Sequence, residues 1–283
     1  MMKMLDGRAL AVRIRETVAE RAKELSKKPG LAIILVGNDP ASHLYVELKE
    51  KACGEVGFYF EKHLLPEDTS TEAIIELIEK LNVRPDIHGI LVQLPLPSQD
   101  ENAVVAAINP AKDVDGFHPT NLERLEIDKP CLAPPTVLGI MKLIESTGED
   151  VAGRRAAVVG SEFFARPIQT LLSRRRVRVD RLDPTGISLQ EKTCIYDILI
   201  TVVGKPGLIT SAMIKPGAIV IDVGTTRMDD KTLGDVSPEA TEKNTGWLTP
   251  VPGGVGPMTV AMLLLNVLKA AQFPLGALKE LSA

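Results

Sequence analysis

Cysteine is scarce in this sequence. Only Cys53, Cys131 and Cys194 occur in 283 residues. None stands in a Cys-x-x-Cys or Cys/His spacing, which argues against a zinc cluster or a disulfide framework and fits a reducing, cytoplasmic setting. Aromatic residues make up 4% and the net charge is −4. A nucleic-acid surface needs a basic stripe and stacking rings, so that class is excluded on both counts. Nowhere do 18 apolar residues run together, and the N-terminal stretch MMKMLDGRALAVRIRETVAERAKELSKK interleaves charges with apolar residues. Neither a membrane span nor a signal peptide is expected. His43, His63, His88 and His118 show no ligand spacing and are assigned no role. No metal is expected.

The chain does have ample apolar material, 45% hydrophobic against 25% charged, which suits one or two globular domains. Leu10, Ile14, Val18 and Leu25 sit at helical spacing in residues 7–26. Short β-branched runs bounded by Gly or Pro follow at residues 31–36, 89–92, 156–159, 198–203 and 218–223. Runs apolar on every residue are the pattern of strands buried on both faces. Helical patterns at 41–56, 71–82 and 164–173 lie between them, so the fold class is α/β with parallel sheets. The proline-rich stretch 110–136 reads as a domain connection. The boundaries expected are 1–139 plus 261–283 for the first domain and 140–260 for a second, Rossmann-like one, with an apolar helix at 257–271 returning to the first.

Several residues stand out chemically. At about 100° per residue, Tyr45, Lys49, Ala52 and Val56 share one sector of the helix at 41–56, placing Lys49 on an apolar face. A lysine there either snorkels its ammonium outward, the commoner fate, or is a desolvated amine able to act as acid and base near neutrality. Gln93 ends the strand at 89–92, at the sheet edge where ligands bind in open α/β folds; a glutamine capping loose backbone would look the same. In Lys112-Asp113-Val114-Asp115-Gly116-Phe117 two carboxylates precede a glycine, the signature of either an Asx-turn or a ligand site. The segment at residues 249–259, with three prolines and three glycines, makes a rigid loop whose backbone can approach a ligand, backed by a helix N-terminus. The turn after residues 156–159 sits where a dinucleotide-binding turn would, but only Gly160 of a Gly-x-Gly-x-x-Gly pattern is present, with Ala165 at a later small-residue position.

Taken together, residues 36–53, 89–97, 112–117, 205–209, 216–224 and 249–259 resemble the bifunctional methylenetetrahydrofolate dehydrogenase/cyclohydrolase family, FolD, over essentially the whole chain. The resemblance implies a folate-binding catalytic domain and a dinucleotide domain. Tyr45 and Lys49 match its Tyr-x-x-x-Lys, with Lys49 as the catalytic lysine and Tyr45 stacking near the folate. Gln93, between Val92 and Leu94 in the substrate pocket, matches the amide that positions the lysine, and Asp115 the carboxylate that binds the pterin. Pro252, Gly253, Gly254, Val255 and Gly256 match the loop over substrate and cofactor. The implied reactions oxidise 5,10-methylenetetrahydrofolate with NAD or NADP and hydrolyse the methenyl product to 10-formyltetrahydrofolate. A cytoplasmic homodimer is implied, with no nucleic-acid or membrane partner.

The departures from that pattern gather in the dinucleotide half. Gly160-Ser-Glu-Phe-Phe-Ala165-Arg-Pro167 is one residue shorter than the family's turn, the His-Ser-Arg/Lys-Thr segment is replaced by residues 179–184, and Gly224-Thr225-Thr226 stands for Gly-Ile-Asn. Cofactor contacts are assigned to Gly160, Ser161, Thr225 and Asp180; the last lies about 20 residues beyond Gly160, the spacing of an acid that accepts from the ribose of NAD. Arg181 is the one basic residue placed to favour NADP, unless it pairs with an acid; Arg174, Arg175 and Arg176 are expected at the opposite sheet edge. A weak dehydrogenase without strong NADP preference is therefore expected, beside an intact folate site. The competing readings are a cyclohydrolase that has lost the dehydrogenase step and a non-catalytic folate- or nucleotide-binding protein.

Overall fold

A computed structural model describes residues 1–186, 189–228 and 231–272. In chain order the elements are β1 (Lys3–Met4), α1 (Gly7–Lys23), β2 (Gly30–Val36), α2 (Pro40–Val56), β3 (Tyr59–Leu65), α3 (Thr71–Asn82), β4 (Gly89–Val92), α4 (Glu101–Ala107), α5 (Pro119–Glu126) and α6 (Pro135–Ser146). They continue with β5 (Arg155–Gly160), α7 (Glu162–Arg174), β6 (Arg178–Leu182), α8 (Leu189–Thr193), β7 (Ile198–Val202), β8 (Ile219–Asp222), β9 (Thr226–Met228), β10 (Lys231–Leu233), α9 (Pro238–Lys243), β11 (Trp247–Leu248) and α10 (Val255–Gln272). The chain divides into two compact units. The first comprises Val12–Pro135 and the chain from Val260 onward, the second Met1–Ala11 with Thr136–Thr259.

The first unit is built on a three-stranded parallel sheet in the order β3-β2-β4. Every residue of β2 is buried, and successive side chains leave on opposite faces. Leu31, Ile33 and Leu35 join one core with Val46, Cys53 and Val56 of α2 and Leu263, Leu264, Val267 and Leu268 of α10. Ala32, Ile34 and Val36 join another with Ile74, Ile78 and Leu81 of α3 and Val104 of α4. An apolar run without alternation thus serves two cores at once. Edge strand β3 carries Glu61, Lys62 and His63 and escaped the sequence reading, because only one of its faces needs apolar residues. The stretch read as a bare connection holds α5, started by Pro119 and capped by His118, whose Nδ1 accepts from Thr120 N at 3.0 Å. His88 Nδ1 likewise accepts from Gly30 N at 3.0 Å, so two of the histidines assigned no role are backbone caps.

The second unit carries a six-stranded sheet, β1-β11-β8-β7-β5-β6, with every neighbouring pair parallel. β5 pairs with both β6 and β7, so strand order reverses there, and the crevice beyond the C-terminal ends of β5 and β7 is the switch point where such sheets bind ligands. β9 and β10 form an antiparallel hairpin. Residues 1–11, expected in the first domain, belong to this unit because Lys3 and Met4 pair with Trp247 and Leu248. Two residues are too few to show strand periodicity in a sequence. α10 is long and apolar enough to cross a membrane by length and composition, and half of that stretch is buried within the protein, as in a core helix.

Candidate functional site

Helix α2 is set by its ends. The Asp39 carboxylate accepts from Ser42 N and Oγ, both at 2.8 Å, and these bonds hold its carboxyl below the usual range. Pro40 opens the helix, and Gly57, at φ 77°, closes it by donating to Cys53 O and Gly54 O. The buried side chains are Ser42, Val46, Ala52, Cys53 and Val56, and Lys49 falls within their angular sector. Tyr45, placed by sequence in the same sector, is 42% exposed, as are its neighbours Leu44 and Leu48 to a similar degree.

Lys49 does not snorkel. Its Nζ donates to Gln93 Oε1 at 2.8 Å, and no carboxylate among the described residues pairs with it. Burial lowers its pKa, the loss of hydration outweighing the pull of Asp115 and Cys53. Gln93 continues the β4 ladder by donating its N–H to Ile34 O at 2.8 Å, while its Nε2 donates to Leu94 O at 2.8 Å. With the amide nitrogen so committed, the oxygen is left facing the lysine. Val92 is buried at the end of β4 and Leu94 is half-buried.

The two aspartates of the 112–117 segment have separate jobs. Asp113 is buried and accepts from Gly116 N at 3.0 Å, His118 N at 2.8 Å and Asn121 Nδ2 at 2.9 Å, so it is the turn residue. Asp115 accepts no hydrogen bond from a described side chain or backbone. Its pKa is pushed up to about 6, chiefly by burial; Lys49 opposes the rise and the Asp113 charge adds to it. Gly116, at φ 72°, leaves no room for a side chain, since a Cβ would lie 2.5 Å from the Ala133 carbonyl carbon. Sequence reading missed Asn266. Fully buried in α10, it donates through Nδ2 to Val114 O and Ala133 O, each at 2.9 Å, and pins the strand of chain that presents Asp115. A lone asparagine amid Met262-Leu-Leu-Leu-Asn-Val-Leu was the available signal.

In the second unit the glycine-rich loop is fixed by close backbone contact. A Cβ on Gly7 would lie 1.9 Å from Gly254 O, and one on Gly254 only 2.6 Å from Thr249 Cβ. Gly253, at φ 118°, lies against the Arg8 side chain. Pro252 precedes it, and Val255 and Gly256 begin α10. Thr249 Oγ1 accepts from Asp222 N at 2.7 Å, tying the loop base to β8. Also unforeseen were two buried carboxylates. Asp222 accepts from Gly224 N, Asp235 N and Val236 N, and Asp235 from Thr201 Oγ1, Val203 N and Lys205 N. Burial and the Asp235 charge push Asp222 up to about 6, against its hydrogen bonds.

The turn between β5 and α7 runs from Gly160 to Glu162. Gly160 packs so tightly that a Cβ would lie 2.9 Å from Val202 O, and Ser161, the N-cap of α7, makes no side-chain capping bond. Thr225 is exposed past the C-terminal end of β8. Asp180 lies elsewhere than the spacing suggested: it is mid-strand, opposite Ala157, and accepts from Tyr196 Oη at 2.7 Å and pairs with Arg155 at 3.5 Å. The acid beyond the C-terminal end of β6 is Asp183, whose Oδ1 accepts from Thr185 N and Oγ1. Arg175 pairs with Glu145 at the far end of α7.

The sequence profile of the tetrahydrofolate dehydrogenase/cyclohydrolase catalytic domain matches residues 5–115, and that of the NAD(P)-binding domain of the same enzymes matches residues 134–274. A bifunctional protein FolD from a Nitratiruptor species is 48% identical over 277 residues, covering 96% of this chain and 98% of that protein. The crystal structure of the bifunctional FolD methylenetetrahydrofolate dehydrogenase/cyclohydrolase from Campylobacter jejuni superposes with a TM-score of 0.93 at 39% identity, over 96% of this chain and 99% of that one. The Trypanosoma brucei FolD, solved with NADP cofactor and an inhibitor, gives 0.91 at 35% identity, over 96% and 97%.

Proposed function

The chain belongs to the tetrahydrofolate dehydrogenase/cyclohydrolase family, and from that membership we infer a bifunctional enzyme of one-carbon metabolism. It oxidises 5,10-methylenetetrahydrofolate to the 5,10-methenyl cation with NAD(P)+ and hydrolyses the cation to 10-formyltetrahydrofolate. The observation that carries the residue assignments is the pairing of a desolvated Lys49 with a neutral acceptor, Gln93, beside a carboxylate, Asp115, that accepts from no donor among the described residues.

In the hydrolysis, water adds to the carbon between N5 and N10 and loses a proton to the Lys49 amine. The resulting carbinolamine gives up its hydroxyl proton as the C–N5 bond breaks, N5 takes a proton, and the formyl group stays on N10. One proton is released overall. A lysine held in water would be protonated at neutral pH and useless as the base; burial, and the positive charge of the substrate itself, favour the amine. Gln93 holds Nζ without supplying a charge that would lock it as ammonium. Asp115 accepts from adjacent pterin N–H groups, and Tyr45 offers its exposed ring to the folate. Bound NAD(P)+ would supply the hydride acceptor for the oxidation, and Gly160, Ser161 and Thr225 are the residues that would hold it. Pro252–Gly256 are assigned to the substrate and cofactor loop.

We place folate chemistry in the first unit and dinucleotide binding in the second, and read the enzyme as a cytoplasmic homodimer. The test is spectrophotometric: methylenetetrahydrofolate with each dinucleotide, then methenyltetrahydrofolate alone. Both reactions are expected. Absence of methenyl hydrolysis would remove Lys49 from its role. A second reading, a cyclohydrolase with a weakened dehydrogenase, is supported by Glu162, a carboxylate in the first turn of α7 where a pyrophosphate would seek the helix N-terminus.

A further inference from the structure

Arg181 leaves β6 toward the dinucleotide turn. Its Nε lies 2.8 Å from Glu162 Oε2, and its Nη1 donates to Gly160 O at 3.3 Å. The guanidinium therefore bridges the last residue of β5 and the first turn of α7, at the switch point of the sheet. Asp180, one residue earlier, is occupied by Tyr196 and Arg155, and Asp183, just beyond the strand, by the Thr185 hydroxyl and N–H. The Arg181 and Glu162 side chains are 39% and 68% exposed, so water screens the pair and either member can exchange its partner.

We propose that Glu162 and Arg181 form an exchangeable ion pair that sets the choice between NAD and NADP, with Arg181 as the reader of the 2′-phosphate and Glu162 as its competitor. A phosphate offers a guanidinium two parallel acceptors and more charge than a carboxylate, so Arg181 exchanges Glu162 for it when NADP arrives. The exchange strands Glu162 unpaired beside anionic phosphates, which takes back much of the gain. NAD has no 2′-phosphate and leaves the pair intact. The wild-type chain thus accepts both dinucleotides with little preference, and the carboxylate at position 162 is the reason. This rests on the dehydrogenase reading above.

The test is a double-mutant cycle read by calorimetric binding. Wild type, Glu162→Gln, Arg181→Ala and the double variant are titrated with NAD and NADP, and with 5′-AMP and 2′,5′-ADP, which differ only in the 2′-phosphate. Glu162→Gln should raise the preference for the 2′-phosphorylated member of each pair by about tenfold. Arg181→Ala should lower that preference, and in the double variant the gain should vanish. An equal gain with and without Arg181 would reduce Glu162 to simple repulsion and overturn the pair, as would an Arg181→Ala variant with unchanged preference. If wild type bound neither dinucleotide while still hydrolysing methenyltetrahydrofolate, the dehydrogenase reading would fail and the pair with it; binding of both with an unmoved ratio would sink the pair alone.

Discussion

Lys49 Nζ and Gln93 Oε1 meet at 2.8 Å although they stand 44 residues apart, one on a helix and the other where a buried strand ends. A carboxylate in place of that amide would have kept the lysine charged. Replacing Lys49 by Met keeps the length of the side chain and discards the amine, so the hydrolysis of methenyltetrahydrofolate should fall by about 10²–10⁴-fold. The thermal midpoint should hold or rise, because a desolvated amine leaves the interior. Near-wild-type hydrolysis by Lys49→Met would remove it from the chemistry.

In the role proposed for it, Asp115 accepts from the pterin only as the carboxylate, and its pKa is pushed up to about 6. Affinity for a folate should therefore be full above neutrality and decline as pH falls through about 6, with dinucleotide affinity tracking it far less. Asp115→Asn should flatten the decline while weakening folate binding by roughly 1.5–3 kcal/mol at pH 8. Calorimetric titrations across pH 5 to 8 decide the matter: an unchanged slope in the variant would assign the titration to another group.

Asn266→Leu leaves the Val114 and Ala133 carbonyls buried without donors, each orphan costing roughly 1–3 kcal/mol. The urea midpoint should drop accordingly. Folate affinity should weaken too, through the loosened backbone beside Asp115, while affinity for NAD stays as it was. A variant as stable as wild type would mean that these two bonds contribute little.

Asp222 supplies a pH signature of the second unit. Its pKa, ordinarily near 3.8, stands at about 6 in the folded protein, so folding takes up a proton between those values. The stability it contributes is fully present below pH 3.8 and is lost as pH rises through 6. Set against Asp222→Asn, which cannot titrate, the wild-type advantage in urea denaturation should shrink by roughly 2–3 kcal/mol between pH 4 and pH 7. A difference that is flat over this interval would contradict the raised value.

Legibility in the sequence followed the range of the interactions. β2 and β4 could be read directly because burial on both faces demands an unbroken apolar run, and Lys49 stood out because helical spacing is a local property. Local spacing could not tell Asp113 from Asp115, which only the family resemblance separated: what distinguishes them is which donors reach them, and Asn121 and His118 arrive from the next helix. Counting residues from Gly160 led to Asp180, since the count cannot see that β6 runs on to Leu182 and leaves that residue mid-strand. Asp222 and Asp235 depend on partners from four segments and leave no local trace.

The pairing of residues 3–4 with residues 247–248 also bears on biosynthesis. The ribosome releases β1 first, yet its partner β11 is the last strand of that sheet to emerge, so the six-stranded sheet cannot close until residue 248 has left the ribosome. The three-stranded sheet of the first unit needs nothing beyond residue 92 for its strands, and can form early while the N-terminal strand waits. Excising residues 136–259 as an isolated fragment would leave β11 as a raw edge, open to pairing with a neighbouring molecule.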